Sequence, residues 1–300
     1  MIHFTGHPSD IYRQQLKALL KAPEVEVRGR PTRELLHVVT EICPLNVVQI
    51  IPGRKLNPWL ALSEALALIA GSDLVRHLEP YNKRIKDFSD DGITFYGSYG
   101  ARIVQQVPAL IARLRNESTD RRAVLSIWRD EDLEADTKDP PCNDLIMFKL
   151  RDEKLHMTVH NRSNDLHWGL HAVNLPEFSV FQQYLAMLLG VGLGTQIHWS
   201  DSLHLYLDGP AATLTENMLA AMDEPIVHLP APFLFPDNEL KTDHVTYAKI
   251  IYHILDGTMM EAPPFLKFAS DFLQFYRDRT HPYRNLRFNA WSQAGMEFLG

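Results

Sequence analysis

Residues Asp139 to Asp165 read DPPCNDLIMFKLRDEKLHMTVHNRSND, and this stretch decides how the chain is understood. Leu145–Leu150 and Leu155–Arg162 are two apolar-rich runs joined by the charged turn Arg151–Lys154, which reads as a β-hairpin. Pro140 and Pro141 stiffen the backbone that enters Cys142, and Arg162-Ser163-Asn164-Asp165 follows the hairpin. A thiol beside rigid prolines, with an arginine for an anion twenty residues on, points to nucleophilic chemistry on a charged small molecule.

The elements around the hairpin mix strands and helices in irregular order. Residues 10–21 carry an apolar helical face of Ile11, Leu16, Leu19 and Leu20. Leu35–Val39 and Val47–Ile51 read as strands, the second ended by Pro52-Gly53. Asn57-Pro58 starts a helix through Ile69 with Gly71 as its C-cap. Pro108–Arg115 reads as a helix, Arg122–Trp128 as a strand, Phe178–Leu189 as a helix buried on most sides, and Ile197–Leu207 as a strand. Beyond Pro230-Ala231-Pro232, the helical patterns Val245–Leu255 and Pro264–Arg277 follow with no strand between them. The expectation is an α+β fold, with residues 1–232 as the catalytic domain and 233–300 as a helical C-terminal extension.

Composition narrows the function. With 300 residues and 45% hydrophobic content the chain can bury a large core. A net charge of −7 gives no overall basic field for nucleic acid. No apolar run is long enough to span a membrane; the richest, Ala61–Ala70, contains Glu64. Met1–Tyr12 is too polar for a signal peptide, so a cytoplasmic setting with Cys43 and Cys142 reduced is expected.

Each candidate residue has an ordinary reading beside the chemical one. A lone cysteine is more often a small buried hydrophobe, but Asn143 and Asp144 argue against a purely apolar setting for Cys142. Arg162 with Ser163 suits a phosphate, because a planar guanidinium fork donates two bonds to its oxygens. The ordinary reading is a surface arginine, as it is for Arg121-Arg122. His204 and Tyr206 alternate on one strand face, fit for a ligand hydroxyl or for a satisfied core histidine. Glu64, among Leu62, Leu66 and Ile69, is a rim carboxylate or an acid with a raised pKa. His156, His160, His167 and His171 complete no ligand spacing, so no metal is expected. The Gly190–Gly194 segment lacks a phosphate-loop lysine.

The order of these elements resembles the thymidylate synthase family from about Arg28 to Tyr206: a Ser63-Glu64 helix, Ser98-Tyr99-Gly100, Arg-Arg, Pro-Cys, Arg-Ser-x-Asp, Asn and His-x-Tyr. The resemblance implies a thymidylate synthase-like mixed sheet flanked by helices. It makes Cys142 the nucleophile toward carbon 6 of a pyrimidine nucleoside monophosphate, and Glu64 the residue that moves protons. It assigns Arg28, with Arg30 as the rival register, and Arg162 and Ser163 to the phosphate. It brings Arg121 and Arg122 from the other subunit of a homodimer with shared sites. Asp165 would bind a folate, 5,10-methylenetetrahydrofolate, as one-carbon donor; Asn174 would read the base, and His204 and Tyr206 the sugar.

The departures from the family pattern are similar to the hydroxymethylase branch. Asn143 stands where synthases carry histidine, and it could accept from a cytosine amino group. The tryptophan-bearing segment is replaced by Tyr81-Asn82-Lys83-Arg84-Ile85, and one extra residue lies between Gly169 and Asn174. Without that tryptophan, water would reach the methylene intermediate and leave a hydroxymethyl group. The implied activity is 5-hydroxymethylation of dCMP, slightly ahead of dUMP. The alternatives are a thymidylate synthase, a CMP hydroxymethylase and a non-catalytic nucleotide-binding protein.

Overall fold

The computed structural model describes residues 1–45, 48–228, 235, 243–258, 262–278 and 290–299. Its elements in chain order are β1 (Ile2–Thr5), α1 (Pro8–Leu19), β2 (Glu24–Val27), β3 (Arg30–Ile42), α2 (Pro58–Ala70), α3 (Tyr99–Ile103) and α4 (Val107–Asn116). Then come β4 (Val124–Ser126), β5 (Asn143–Arg151), β6 (Lys154–Asn161), β7 (Asn164–Asp165), a π-helical segment (Leu166–Asn174), α5 (Leu175–Leu189), β8 (Gly192–Tyr206) and α6 (Gly209–Ala220). Helices α7 (His244–Leu255), α8 (Pro264–Asp278) and α9 (Ala290–Leu299) complete the described chain.

The expected hairpin is β5–β6. Its turn residues Asp152 and Glu153 both have left-handed φ, 49° and 56°, the primed geometry that follows strand twist. Arg151 and Lys154 form the last pair of the ladder. Ile146, Phe148, Leu155, Met157 and Val159 alternate onto the buried face.

The sheet runs β1-β3-β8-β6-β5-β4, with β2 added to β3 and β7 to β8. Strand β8 is antiparallel to β3 and parallel to β6 and β7, so the sheet is mixed. Asn161 pairs with Ser200 and Asn164 with Leu203, so the ladder skips Arg162 and Ser163 without changing register. Those two residues stand off the sheet at the end of the hairpin.

Helix α2 starts as its sequence dictates. The Asn57 side chain accepts from the backbone N–H groups of Trp59 and Leu60, both at 3.1 Å, and Gly71 closes the helix in the left-handed region. A Cβ on Gly100 would lie 2.7 Å from the Ala67 carbonyl oxygen, so glycine alone lets α3 pack this closely on α2. Helix α5 continues from the π-helical segment without a break, the Leu175 N–H bonding to Leu170 O five residues back.

The C-terminal helices join the same core. The Trp59 indole N–H donates to Phe272 O at 2.9 Å, its ring stacks on Phe272 at 4.9 Å, and Tyr247, Ile251 and Trp291 pack into the α2–α5 cluster. The expected boundary between residues 232 and 233 lies outside the described residues.

Two expected strands are shorter or missing. Of Val47–Ile51, Val47 lies outside the described residues, and Ile50 and Ile51 form only single bridges, because Pro52-Gly53 turns the chain back at once. Of Arg122–Trp128 only Val124–Ser126 pairs. The Asp120 carboxylate takes the Arg122 N–H, and the N–H groups of Ile127 and Trp128 both go to Asp144 O at 2.9 Å. Sequence reading also missed β1, β2, α6 and the π-helical segment.

A buried ion pair fixes α3 to the loop beyond β4. Arg102 Nη2 donates to Asp132 Oδ1 at 2.9 Å and to Tyr96 O at 3.1 Å, while Nη1 reaches Ile127 O at 3.0 Å. Tyr96 Oη donates to the same carboxylate at 2.9 Å. Removing the cation leaves a buried carboxylate without its counter-charge. Arg102→Ala is therefore expected to lower the unfolding free energy by about 3–5 kcal/mol in urea titrations at pH 7; an unchanged midpoint would show the pair to be dispensable.

Candidate active site

Cys142 ends the Pro140-Pro141 segment immediately before β5, and Arg162 leaves the end of β6 beside it. Arg162 N–H donates to Cys142 O at 3.0 Å, its Nε to Pro141 O at 2.9 Å and its Nη2 to Pro140 O at 3.2 Å. The same Nη2 lies 3.7 Å from Cys142 Sγ. Burial pushes the thiol pKa up, Arg162 pulls it down, Asp139 raises it, and a hydrogen bond from Ser163 lowers it. The balance leaves a neutral thiol with a fixed cation next to it, ready to favour the thiolate once a ligand alters the surroundings.

Asp139 acts on this thiol, and Glu64 acts with both of them on Tyr99. Glu64 projects from α2, and burial, then the nearby charge of Asp139, lifts its pKa to about 8. Asp139 is itself raised to about 6 by burial, although it accepts the Gly97 N–H at 2.9 Å. That contact requires glycine, since a Cβ on Gly97 would sit 2.3 Å from Asp139 O. The Tyr99 hydroxyl pKa is raised by burial and by the charges of Cys142, Glu177, Asp139 and Glu64. Carboxyls with separated pKa values beside a nucleophile can hold and release protons near neutral pH.

The other wall carries the residues expected to bind substrate. Asp165 and His204 are paired on β7 and β8, and the His204 and Tyr206 rings meet edge-on at 5.1 Å. Burial lowers the His204 pKa while Asp165 and Glu34 oppose it. Burial raises Asp165, against the His204 charge and the N–H groups of Trp168 and His167. Arg28 stands exposed at the β2–β3 turn, with φ 52°. The rival Arg30 is engaged: its Nε donates to Asp208 at 3.1 Å and its guanidinium lies 3.9 Å from the Tyr206 ring centroid.

Asn174 donates from Nδ2 to Asn164 Oδ1 at 2.7 Å, and Asn164 donates to Ser200 Oγ at 2.8 Å. The stretch between Gly169 and Asn174 lies within the π-helical segment. Asn143 is placed differently. It is 0% exposed, opposite Asn161 in the ladder, with both amide atoms buried and without a protein partner. It is the first residue of β5, next to Cys142.

Arg121 and Arg122 are not near the thiol of their own chain. The Phe148 N–H bonds to Ala123 O, and Lys149 reaches Arg121 O, so the pair lies beside Lys149. Seven residues of strand separate Lys149 from Cys142, roughly 23 Å. Arg122 is also engaged with Asp120 at 3.1 Å. Of the four histidines considered for metal, three have protein partners: His156 with Thr195, His167 between Tyr12 and Thr215, and His171 between Gln49 and Gln15.

Sequence reading missed Asp139, Asn164 and Glu177. Asp139 and Asn164 lay inside quoted motifs, yet nothing local marks a carboxyl as buried or an amide as a support. Glu177 follows Pro176 and so passes for an ordinary helix-start acid. A folate would need a carboxylate for its amino-amide edge and an aromatic or apolar face for its ring. Asp165 beside Trp168, which is 39% exposed, supplies both kinds of group, so the residues present fit.

The thymidylate synthase family profile matches residues 28–250. The chain is 35% identical over 238 residues to a deoxyuridylate hydroxymethyltransferase of Bacillus phage SP01, covering 73% of this chain and 62% of that protein. It is 38% identical over 184 residues to a protein of the same name from Pseudomonas phage M6, covering 57% of this chain and 52% of the relative. A putative thymidylate synthase of Methanocaldococcus jannaschii is 34% identical over 206 residues, 66% of this chain and 86% of the relative. The aligned region thus spans only about half to three fifths of the phage relatives.

The electrostatics of the thiol can be measured directly. Arg162 lowers the Cys142 pKa, so Arg162→Leu should raise it and slow alkylation of Cys142 by iodoacetamide at pH 8, about tenfold for each pKa unit. Peptide mapping with the exposed Cys43 as internal reference reads the change. A rate equal to that of the unaltered chain would remove Arg162 from control of the thiol.

Proposed function

The chain belongs to the thymidylate synthase family, and on that premise we propose that it is a folate-dependent hydroxymethyltransferase acting on carbon 5 of deoxyuridylate. The observation that carries the reading is the approach of the Arg162 guanidinium to the Cys142 sulfur, 3.7 Å away; a buried acid, Glu64, with its pKa raised to about 8, supports it. Two phage relatives bear the name of this activity, which moves the preferred base from cytosine to uracil.

In this mechanism the Cys142 thiolate forms a bond to carbon 6, and the electron pair displaced from the ring double bond makes carbon 5 nucleophilic. Bound 5,10-methylenetetrahydrofolate would supply the one-carbon unit that carbon 5 takes up. Carbon 5 then loses its proton, and that electron pair forms a double bond to the exocyclic carbon as the bond from this carbon to the folate nitrogen breaks. Glu64 exchanges protons with the ring and with the attacking water. Water adds its oxygen to the exocyclic carbon and gives a proton to Glu64. The returning electron pair restores the ring double bond and expels Cys142 as thiolate. Arg162, Ser163 and Arg28 hold the phosphate, and His204 and Tyr206 hold the sugar. Arg121 and Arg122 reach the phosphate from the second subunit of a homodimer, in keeping with their distance from Cys142 in one chain. Asp165 holds the folate.

One feature favours water capture, and the names of the phage relatives favour uracil. Lys83 and Arg84, exposed and polar, stand where the synthase pattern has its tryptophan segment, and Tyr81 is buried against Tyr276 at 5.8 Å. No indole from this segment shields the reacting carbon. Uracil and cytosine present opposite donor and acceptor patterns, so an amide discriminates between them only if it cannot flip. The Asn164–Ser200 relay holds the Asn174 side chain in place, while the Ser200 hydroxyl, able to donate or accept, lets the amide present either edge to a base.

Mass spectrometry after incubation with methylenetetrahydrofolate and dUMP, dCMP or CMP should show a gain of one CH₂O unit on dUMP. A gain of one CH₂ unit would assign a thymidylate synthase instead, and no product with any nucleotide would leave a binding protein. Cys142→Ser should abolish product while nucleotide binding persists; undiminished turnover would remove Cys142 from the mechanism. Asn164→Ala removes the hydrogen-bond support of Asn174 and should lower kcat/KM for dUMP by about tenfold. An unchanged kcat/KM would show that Asn164 does not position Asn174.

A further inference from the structure

Asp139 has one oxygen that the fold uses and one that it leaves free. Its Oδ2 accepts the Gly97 N–H at 2.9 Å, while among the described residues Oδ1 has no hydrogen-bond partner and is not sealed in the interior. The backbone around it is fixed. The Asp139 N–H donates to Thr137 Oγ1 at 3.1 Å, and Arg162 donates to the carbonyls of Pro140 and Pro141. Gly97 packs so closely on this segment that a Cβ would lie 3.1 Å from both Asp139 Oδ2 and Pro141 N.

The two prolines also set where the carboxyl points. A residue before proline is held extended, and a proline run climbs about 3.1 Å per residue with three residues to the turn. Asp139 and Cys142 are three residues apart with no turn between them. Their side chains therefore leave the same side of the chain, roughly 9 Å apart at the backbone. The charge of Asp139 acts on the Cys142 thiol, on Glu64 and on the Tyr99 hydroxyl, raising each. Burial lifts Asp139 itself to about 6, with the Gly97 N–H and Arg102 opposing and Asp90 adding. At neutral pH it is ionised while Glu64, at about 8, keeps its proton. To hold one N–H group a carboxylate is a costly choice, because an amide oxygen would accept the same bond without a half-buried charge.

We propose that Asp139 holds the water that becomes the hydroxyl of the product: its free oxygen accepts one hydrogen of that water and so selects water over other nucleophiles. The inference rests on the function proposed above. The exocyclic carbon is two bonds from the carbon that Cys142 holds, so a group on the same side of the chain as Cys142 can place a water against it. The water oxygen bonds to the exocyclic carbon as the methylene double bond opens, and the electron pair returns to the ring and expels Cys142. Glu64, ionised once it has given its proton to the ring, takes one hydrogen of the water. The other stays on the new hydroxyl, hydrogen-bonded to Asp139, which gains no proton.

Asp139→Asn separates the two oxygens. Its amide oxygen still accepts the Gly97 N–H, but the free position becomes an NH₂ that cannot accept. In a single turnover with dUMP tritiated at carbon 5, the variant should release tritium within about threefold of the rate of the unaltered chain. Hydroxymethyl product, read by mass spectrometry, should fall about tenfold or more. Added 2-mercaptoethanol should react in place of water, its thiolate bonding to the exocyclic carbon and expelling Cys142, so that a thioether of the nucleotide appears. Circular dichroism and the dUMP Kd establish that the variant is folded. Undiminished hydroxymethyl product overturns the inference, since Asn preserves the bond to Gly97 and only the free oxygen is lost. Tritium release that falls in step with product overturns it too, because Asp139 would then act before capture. The unaltered chain supplies a reading that needs no variant: under the same thiol it should still give mainly hydroxymethyl product, and mainly thioether would show that no water is held. If the unaltered chain yields no hydroxymethyl product with or without thiol, the proposed function falls and this inference with it. If it does yield that product and Asp139→Asn matches it, only the role of Asp139 falls.

Discussion

The guanidinium of Arg162 is the point on which the site depends. It donates to two proline carbonyls and approaches the sulfur that follows them. Its backbone N–H also bonds to the cysteine carbonyl. Prolines offer no N–H to tie themselves into a sheet, so the loop before β5 needs an outside donor with several prongs. Arg162 can serve because the β8 ladder skips it and leaves it off the sheet. One side chain thus positions the nucleophile and sets the field at its sulfur.

A dry wall of acids accompanies that cation: burial raises the pKa values of Glu64 on α2, Glu177 on α5 and Asp139 in the loop before Cys142. Each acid opposes stability at neutral pH, since the folded state must keep a proton or pay for a buried charge. The wall stays dry because α7, α8 and α9 cover the outer side of α2, with Trp59 locked under Phe272. The C-terminal helices therefore bear on the chemistry through the core they complete, although the patterns that reveal them suggest only an extension.

Legibility in the sequence followed the range of the forces involved. The hairpin and α2 could be read with good bounds, because alternation, a charged turn, an Asn-Pro start and a closing Gly act within a few residues. Strand lengths at Arg122–Trp128 and Val47–Ile51 could not, because Asp120, Asp144 and the 52–53 turn compete for the backbone groups. Cys142, Arg162, Ser163, Asp165, His204 and Tyr206 were named from motif order, and the structure brings them to one end of β5, β6 and β8. Arg121 and Arg122 stand apart in a single chain, and Asn143 lies within the sheet, where its motif position did not suggest it would be.

By itself the sequence determined the α+β class, the hairpin, the capped Glu64 helix and the pairing of a proline-bound thiol with an arginine. Residue type and spacing alone carry that information. Tertiary structure decided which groups are charged and which side chains are held in place. Glu64 becomes an acid of pKa about 8 only when burial and Asp139 act on it together. Asn174 is supported only because Asn164 and Ser200 arrive from β7 and β8. Glu177 passes for a helix-start acid until the π-helical segment removes the helix start. Desolvation and amide support depend on atoms distant in sequence, and no local pattern encodes them.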